Sequence, residues 1–84
     1  MVEFGAAWCG YCQATRALID EVLAEQPHVR HVMIEDGKGK RLGRTFGVKL
    51  WPTFVFLHDG SEVARLVRPR SAAQLRDAMR KLVG

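Results

Sequence analysis

The alternation of apolar and polar positions divides the chain into seven short elements. Residues 2–6, Val-Glu-Phe-Gly-Ala, predict a strand. From Gly10 to about Glu25 the apolar positions Ala14, Ala17, Leu18 and Val22 recur at helical spacing, with Ile19 and Leu23 widening the stripe and Pro27 stopping it. Val29 to Ile34 has too few polar positions for clean alternation and predicts a strand buried on both faces. A polar, Gly-bearing loop from Glu35 to Lys40 follows. Leu42 and Phe46, spaced i and i+4, then predict a short helix ended by Gly47. Thr53 to His58 and Glu62 to Val67 are β-rich runs separated by an Asp59-Gly60 turn signal, which together predict a hairpin. Ser71-Ala72-Ala73-Gln74 matches a capping box, and Leu75, Ala78, Met79 and Leu82 line one face of the helix behind it.

The order is β-α-β-α-β-β-α. A helix joins the first two strands, so they run parallel; a tight turn joins the last two, so they run antiparallel. With 84 residues and no repeat, linker or low-complexity tract, the chain is expected to be a single domain over residues 1–84.

Composition narrows the functional classes. Hydrophobic residues make up 48% and charged residues 26%, the balance of a folding chain rather than a disordered one. No apolar run approaches a membrane span, and Met1-Val2-Glu3-Phe4 carries neither a basic leader nor a cleavage site, so a cytoplasmic location is expected. Residues 1–27 hold one basic and four acidic side chains, which concentrates the net charge of +4 in the rest of the chain. No aromatic residues interleave the basic cluster Lys38, Lys40, Arg41 and Arg44, which argues against nucleic acid as a partner.

The two cysteines, Cys9 and Cys12, carry the chemistry. A bond between them closes a loop too short to staple distant parts of a fold, which leaves redox chemistry, half of a metal site, or two small buried hydrophobes. They fall where the first strand turns into the long helix. Unpaired N–H groups and the helix dipole favour an anion there, so Cys9 is the natural nucleophile. Cys12, one turn further in and expected to be more buried, is placed to attack the mixed disulfide that Cys9 would form. Cys9, Cys12, His28 and His31 also trace the outline of a zinc site. The two residues between the histidines are fewer than usual, however, and on a strand residues 28 and 31 point to opposite faces. No metal is expected, and His58 reads as a solvent-facing bystander.

With Trp8-Cys9-Gly10-Tyr11-Cys12, Phe46-Gly47-Val48, Trp51-Pro52-Thr53, Asp59-Gly60 and the closing helix in these positions, the chain resembles the thioredoxin family over nearly its whole length. The resemblance implies a minimal α/β fold of that type without the family's first strand and helix: a four-stranded mixed sheet of order 2-1-3-4 with helices on both faces. It implies a cis peptide before Pro52, beside the nucleophilic cysteine, where the backbone preceding the proline pairs with substrate. It also implies a buried acid six residues before the first cysteine, here Glu3, that moves the proton of Cys12. His31 falls roughly where the family often has a lysine near that acid. By the same resemblance Trp8, Gly10, Tyr11, Trp51 and Pro52 become substrate-binding candidates beside the catalytic candidates Cys9, Cys12 and Glu3. The chain departs from the family in having Tyr11 where a proline usually lies between the cysteines, Trp51 in place of a small or aliphatic residue, and Arg68 near a glycine of the substrate groove.

The expected function is therefore reduction of protein disulfides by dithiol–disulfide exchange through Cys9 and Cys12. The expected partners are protein disulfides and an electron donor, with no organic cofactor required. Two alternatives stand beside it: an oxidase or isomerase of exported proteins, and a noncatalytic metal-binding or interaction module. Without a strand beyond it, the segment Val29 to Ile34 is expected to form an open sheet edge, covered by the loop Glu35 to Lys40 or paired weakly with a second copy of an otherwise monomeric chain.

Overall fold

A computed structural model of the chain describes residues 1–6, 9–37 and 41–83. The elements are β1 (Val2–Gly5), α1 (Gly10–Glu25), β2 (Val32–Glu35), α2 (Arg41–Thr45), β3 (Thr53–His58), β4 (Ser61–Val67) and α3 (Ala72–Val83). The sheet order is β2-β1-β3-β4, with β1 parallel to β2 and antiparallel to β3, and β3 antiparallel to β4. This is the thioredoxin-like topology the sequence predicts.

Strand alternation sorts the core into two layers. Register pairs Glu3 with Phe54, which places both on the face covered by α1 and α3. There Phe54 and Phe56 pack with Ile19 and Val22 of α1 and with Leu75, Ala78 and Met79 of α3. The opposite face carries Phe4, whose ring meets Phe46, just after α2, at a centroid distance of 5.5 Å. Burying such aromatic and branched side chains contributes about 1.5–3 kcal/mol each, before the entropy of ordering them is subtracted.

Local chemistry sets the element ends. Asp59 and Gly60 both take positive φ, 51° and 81°, as a two-residue turn matching the twist of β3 and β4 requires. Gly47, at φ 69°, closes α2: its N–H donates to the Arg44 carbonyl and that of Val48 to the Gly43 carbonyl, a Schellman arrangement. At the start of α3 the Gln74 side chain accepts from the Arg70 and Ser71 N–H groups while the Ser71 hydroxyl accepts from the Gln74 N–H, so the capping box is closed.

Two expectations shift. The inner face of α1 is Cys12, Thr15, Ile19 and Val22, with Ala14 and Ala17 exposed. Thr15 is tolerated inside because its hydroxyl donates to the Tyr11 carbonyl at 2.7 Å, which frees the small alanines for the outer face. The second strand begins at Val32 rather than Val29 and is not buried on both faces; Val32 and Met33 are exposed. Residues 26–29 instead form a turn, in which the Val29 N–H donates to the Gln26 carbonyl and the Val29 side chain packs against the helical core. Arg41 to Thr45 confirms the short second helix, although Leu42 faces solvent. Within the loop expected to cover the β2 edge, residues 38–40 lie outside the described residues.

Candidate active site

The sheet brings four chain segments to one end. Parallel pairing puts the C-terminal ends of β1 and β2 side by side, at Gly5 and Glu35. Antiparallel pairing adds the start of β3 and the end of β4, since Phe4 lies opposite Thr53 and Thr53 opposite Val67. The first turn of α1, the Trp51-Pro52 segment and Arg68 therefore gather at that end. Trp8, expected among the substrate-binding residues, lies outside the described residues.

Cys9 is the N-cap of α1. Its extended backbone, φ −75° and ψ 116°, turns the side chain back over the helix start, where Sγ accepts from the Cys12 N–H at 3.1 Å. The sulfur thus occupies the place a serine or aspartate oxygen takes at an ordinary N-cap. Both thiols are free and both are buried, Cys9 to 5% and Cys12 to 7% exposure, so the expected contrast in burial is absent. Burial, followed by a side-chain hydrogen bond to Cys9, pushes the Cys12 thiol up to about 11, with the Glu3 carboxylate a further contributor. Gly10 and Tyr11, between the cysteines, are exposed, and open space lies where a Gly10 Cβ would be.

Glu3 faces the core at 2% exposure. A carboxylate so placed needs partners, and it has two: a hydrogen bond with His31 Nε2 at 2.8 Å from Oε1, and the charge of Arg16, whose Nη2 lies 3.6 Å from Oε2. The carboxyl and the Cys12 thiol line the same cavity of about 550 Å³, walled also by Gly5, Arg16, Met33 and Glu35. Gly5 is required there. A Cβ at that position would lie 2.7 Å from Cys12 Sγ, so any larger residue displaces the sulfur. Beyond its contact with Glu3, His31 is not gathered with His28, which is exposed in the turn after α1. Among the described residues no group of three or more Cys, His, Asp or Glu is disposed to hold a metal.

Across the site the Trp51–Pro52 peptide is cis and Pro52 is buried. The Trp51 indole N–H donates to Asp36 Oδ2 at 2.8 Å, and the Asp36 backbone N–H donates to the Gly5 carbonyl at 2.8 Å. Asp36 in turn sits against Gly43 so closely that a Cβ on α2 at that position would overlap its carboxylate. Arg68 joins the two halves: its guanidinium lies 3.9 Å from the Tyr11 ring centroid, and its Nε donates to the Trp51 carbonyl at 2.8 Å. Its backbone takes φ 49°, a left-handed conformation that costs a non-glycine residue about 1 kcal/mol, and its N–H donates to the Pro52 carbonyl. Gly5, Arg16, Asp36 and Gly43 were not singled out from the sequence. No local motif marks them, because each matters only through a neighbour distant in the chain.

The sequence profile of the Thioredoxin family matches residues 1–81. The structure superimposes on thioredoxin 2 from Pseudomonas aeruginosa PAO1 in its reduced form with a TM-score of 0.86 and 61% identity, covering 99% of this chain and 77% of that one. Thioredoxin from Chlamydia pneumoniae is 36% identical over 80% of this chain and 66% of its own length. Thioredoxin H-type 1 from Nicotiana tabacum is 34% identical over 80% of this chain and 53% of its own. The chain thus spans between about half and two-thirds of these two relatives. With a family profile matched almost end to end, the same sheet order and a paired-cysteine turn at the head of α1, the chain belongs to the thioredoxin family.

Proposed function

We propose that the chain reduces protein disulfides by dithiol–disulfide exchange. The observation that carries this reading is the placement of both thiols at the α1 N-terminus, with a backbone N–H on Cys9 Sγ and Cys12 sharing a cavity with a buried carboxylate. In the first step the Cys9 thiolate attacks one sulfur of the substrate disulfide. A Cys9–substrate disulfide forms, and the other substrate sulfur leaves as a thiolate that takes a proton. In the second step Cys12 loses its proton and attacks Cys9 Sγ. The first substrate sulfur departs, and the Cys9–Cys12 disulfide remains. Two electrons have passed to the substrate, and an external dithiol donor must return them.

The high pKa of Cys12 makes the second step depend on a base, and Glu3 is the carboxylate whose charge is felt at that thiol. His31 and Arg16 hold the carboxylate in place, and Trp51, Gly10 and Tyr11 form the surface against which the substrate disulfide is presented, with the buried Pro52 beneath Trp51 setting its course.

The test is reduction of insulin disulfides with dithiothreitol as donor, together with equilibration of the protein in glutathione buffers. Catalysed reduction and a potential nearer about −270 mV, the thioredoxin range, support the proposal. A potential near or above about −180 mV supports the oxidase or isomerase direction instead. Absence of catalysis by a folded, fully reduced protein overturns the reading.

A further inference from the structure

A second concavity, of about 720 Å³, opens beside the cysteine turn and shares no lining residue with the cavity that holds Glu3. Its walls include Tyr11, Leu18, Leu50 and Val67, and its rim carries Arg68 and Arg70. Three of these apolar side chains, Tyr11, Leu50 and Val67, are about half exposed, an unusual concentration for so small a surface. No Asp or Glu lines the groove among the described residues. Among the described residues no carboxylate lies within ion-pair distance of Arg68 or Arg70, although Arg65 and Arg80 each have one and Arg76 has two. The Arg68 guanidinium is nevertheless held in place, stacked on Tyr11 and bonded through Nε to the Trp51 carbonyl, so its outer nitrogens are presented without a partner among the described residues.

A fixed, half-buried cation between an apolar floor and a reactive dithiol is suited to recognise a charge. We propose that this groove selects disulfide substrates carrying an acidic side chain beside the scissile bond, with Arg68 as the specificity-determining residue and Arg70 as its outer support. The inference rests on the oxidoreductase reading and names the substrate class of that same site. The carboxylate of a substrate glutamate or aspartate would pair with the Arg68 fork while the neighbouring apolar residues cover Leu50 and Val67.

The experiment compares three disulfide-linked peptides of identical length that differ only in the two residues flanking one cysteine: glutamate, glutamine or lysine. With wild-type protein at low ionic strength, kcat/KM for the glutamate peptide is expected to exceed that for the lysine peptide by about tenfold, and the ratio should fall in high salt. Arg68→Gln and Arg68→Gly should both bring the ratio close to one; the glycine variant also relieves the left-handed backbone and so guards against a folding failure of the first. Equal rates for all three peptides overturn this inference alone. So does a preference that persists unchanged in both Arg68 variants. Failure to reduce any peptide or insulin overturns the oxidoreductase reading and this inference with it.

Discussion

Glu3 is buried with two nitrogen partners in the cavity that also holds the Cys12 sulfur, and this arrangement fixes what single substitutions should do. If the carboxylate takes the Cys12 proton, Glu3→Gln slows release of the second product by about a hundredfold while the first attack changes by less than about twofold. Stopped-flow measurement of the two phases checks this, and equal slowing of both phases would reduce Glu3 to a structural role. Cys12 gives a second, thermodynamic prediction. Its thiol is raised from an ordinary 9.0 to about 11 by burial and by Cys9, so the folded state favours the neutral form. The associated stability, on the order of 2 kcal/mol, is fully present below pH 9 and is lost as the pH rises toward 11. Denaturant titration of the reduced protein between pH 8 and 11 should show this loss, and Cys12→Ala should remove most of it. The two cysteines are legible as a spaced pair, and Glu3 only through the family resemblance. The equal burial of the two thiols was not, because it depends on how closely Gly5 lets α1 approach β1.

At the scale of elements, the predicted segments were recovered wherever local chemistry fixes an end: the Asp59-Gly60 turn, the Ser71 to Gln74 box, the glycine after α2. The sequence predicts β2 three residues too early, since Val29 has strand chemistry but packs against the helical core. The corrected strand makes a specific prediction. The Val32 and Asp36 N–H groups donate to the Met1 and Gly5 carbonyls. Alternation then turns the Met33 and Glu35 N–H groups outward, along the sheet edge. In a dilute sample, hydrogen exchange should be fast at Met33 and Glu35 and slower at Val32, Ile34 and Asp36. Slow exchange at all five would mean that another strand or a second copy of the chain pairs there.

At the scale of the whole molecule, connection types make the parallel first pair and the antiparallel last pair readable, whereas the order 2-1-3-4 follows from the family resemblance, because the pairing of β1 with β3 joins strands distant in the chain. The meeting of Arg68, Tyr11 and Trp51 was not readable, since it requires the end of β4, the first turn of α1 and the loop before β3 to converge at one end of the sheet. That convergence sets the two cysteines beside both the cavity of the buried acid and the cationic groove. The central claim is that Cys9 attacks and Cys12 resolves. It is tested most directly by mixing the Cys12→Ser variant with a disulfide-bonded protein and mapping the covalent adduct by mass spectrometry. The account predicts a stable mixed disulfide through Cys9 that the wild-type chain does not accumulate. Adduct formation at Cys12 in the Cys9→Ser variant, with none at Cys9 in the Cys12→Ser variant, would contradict it.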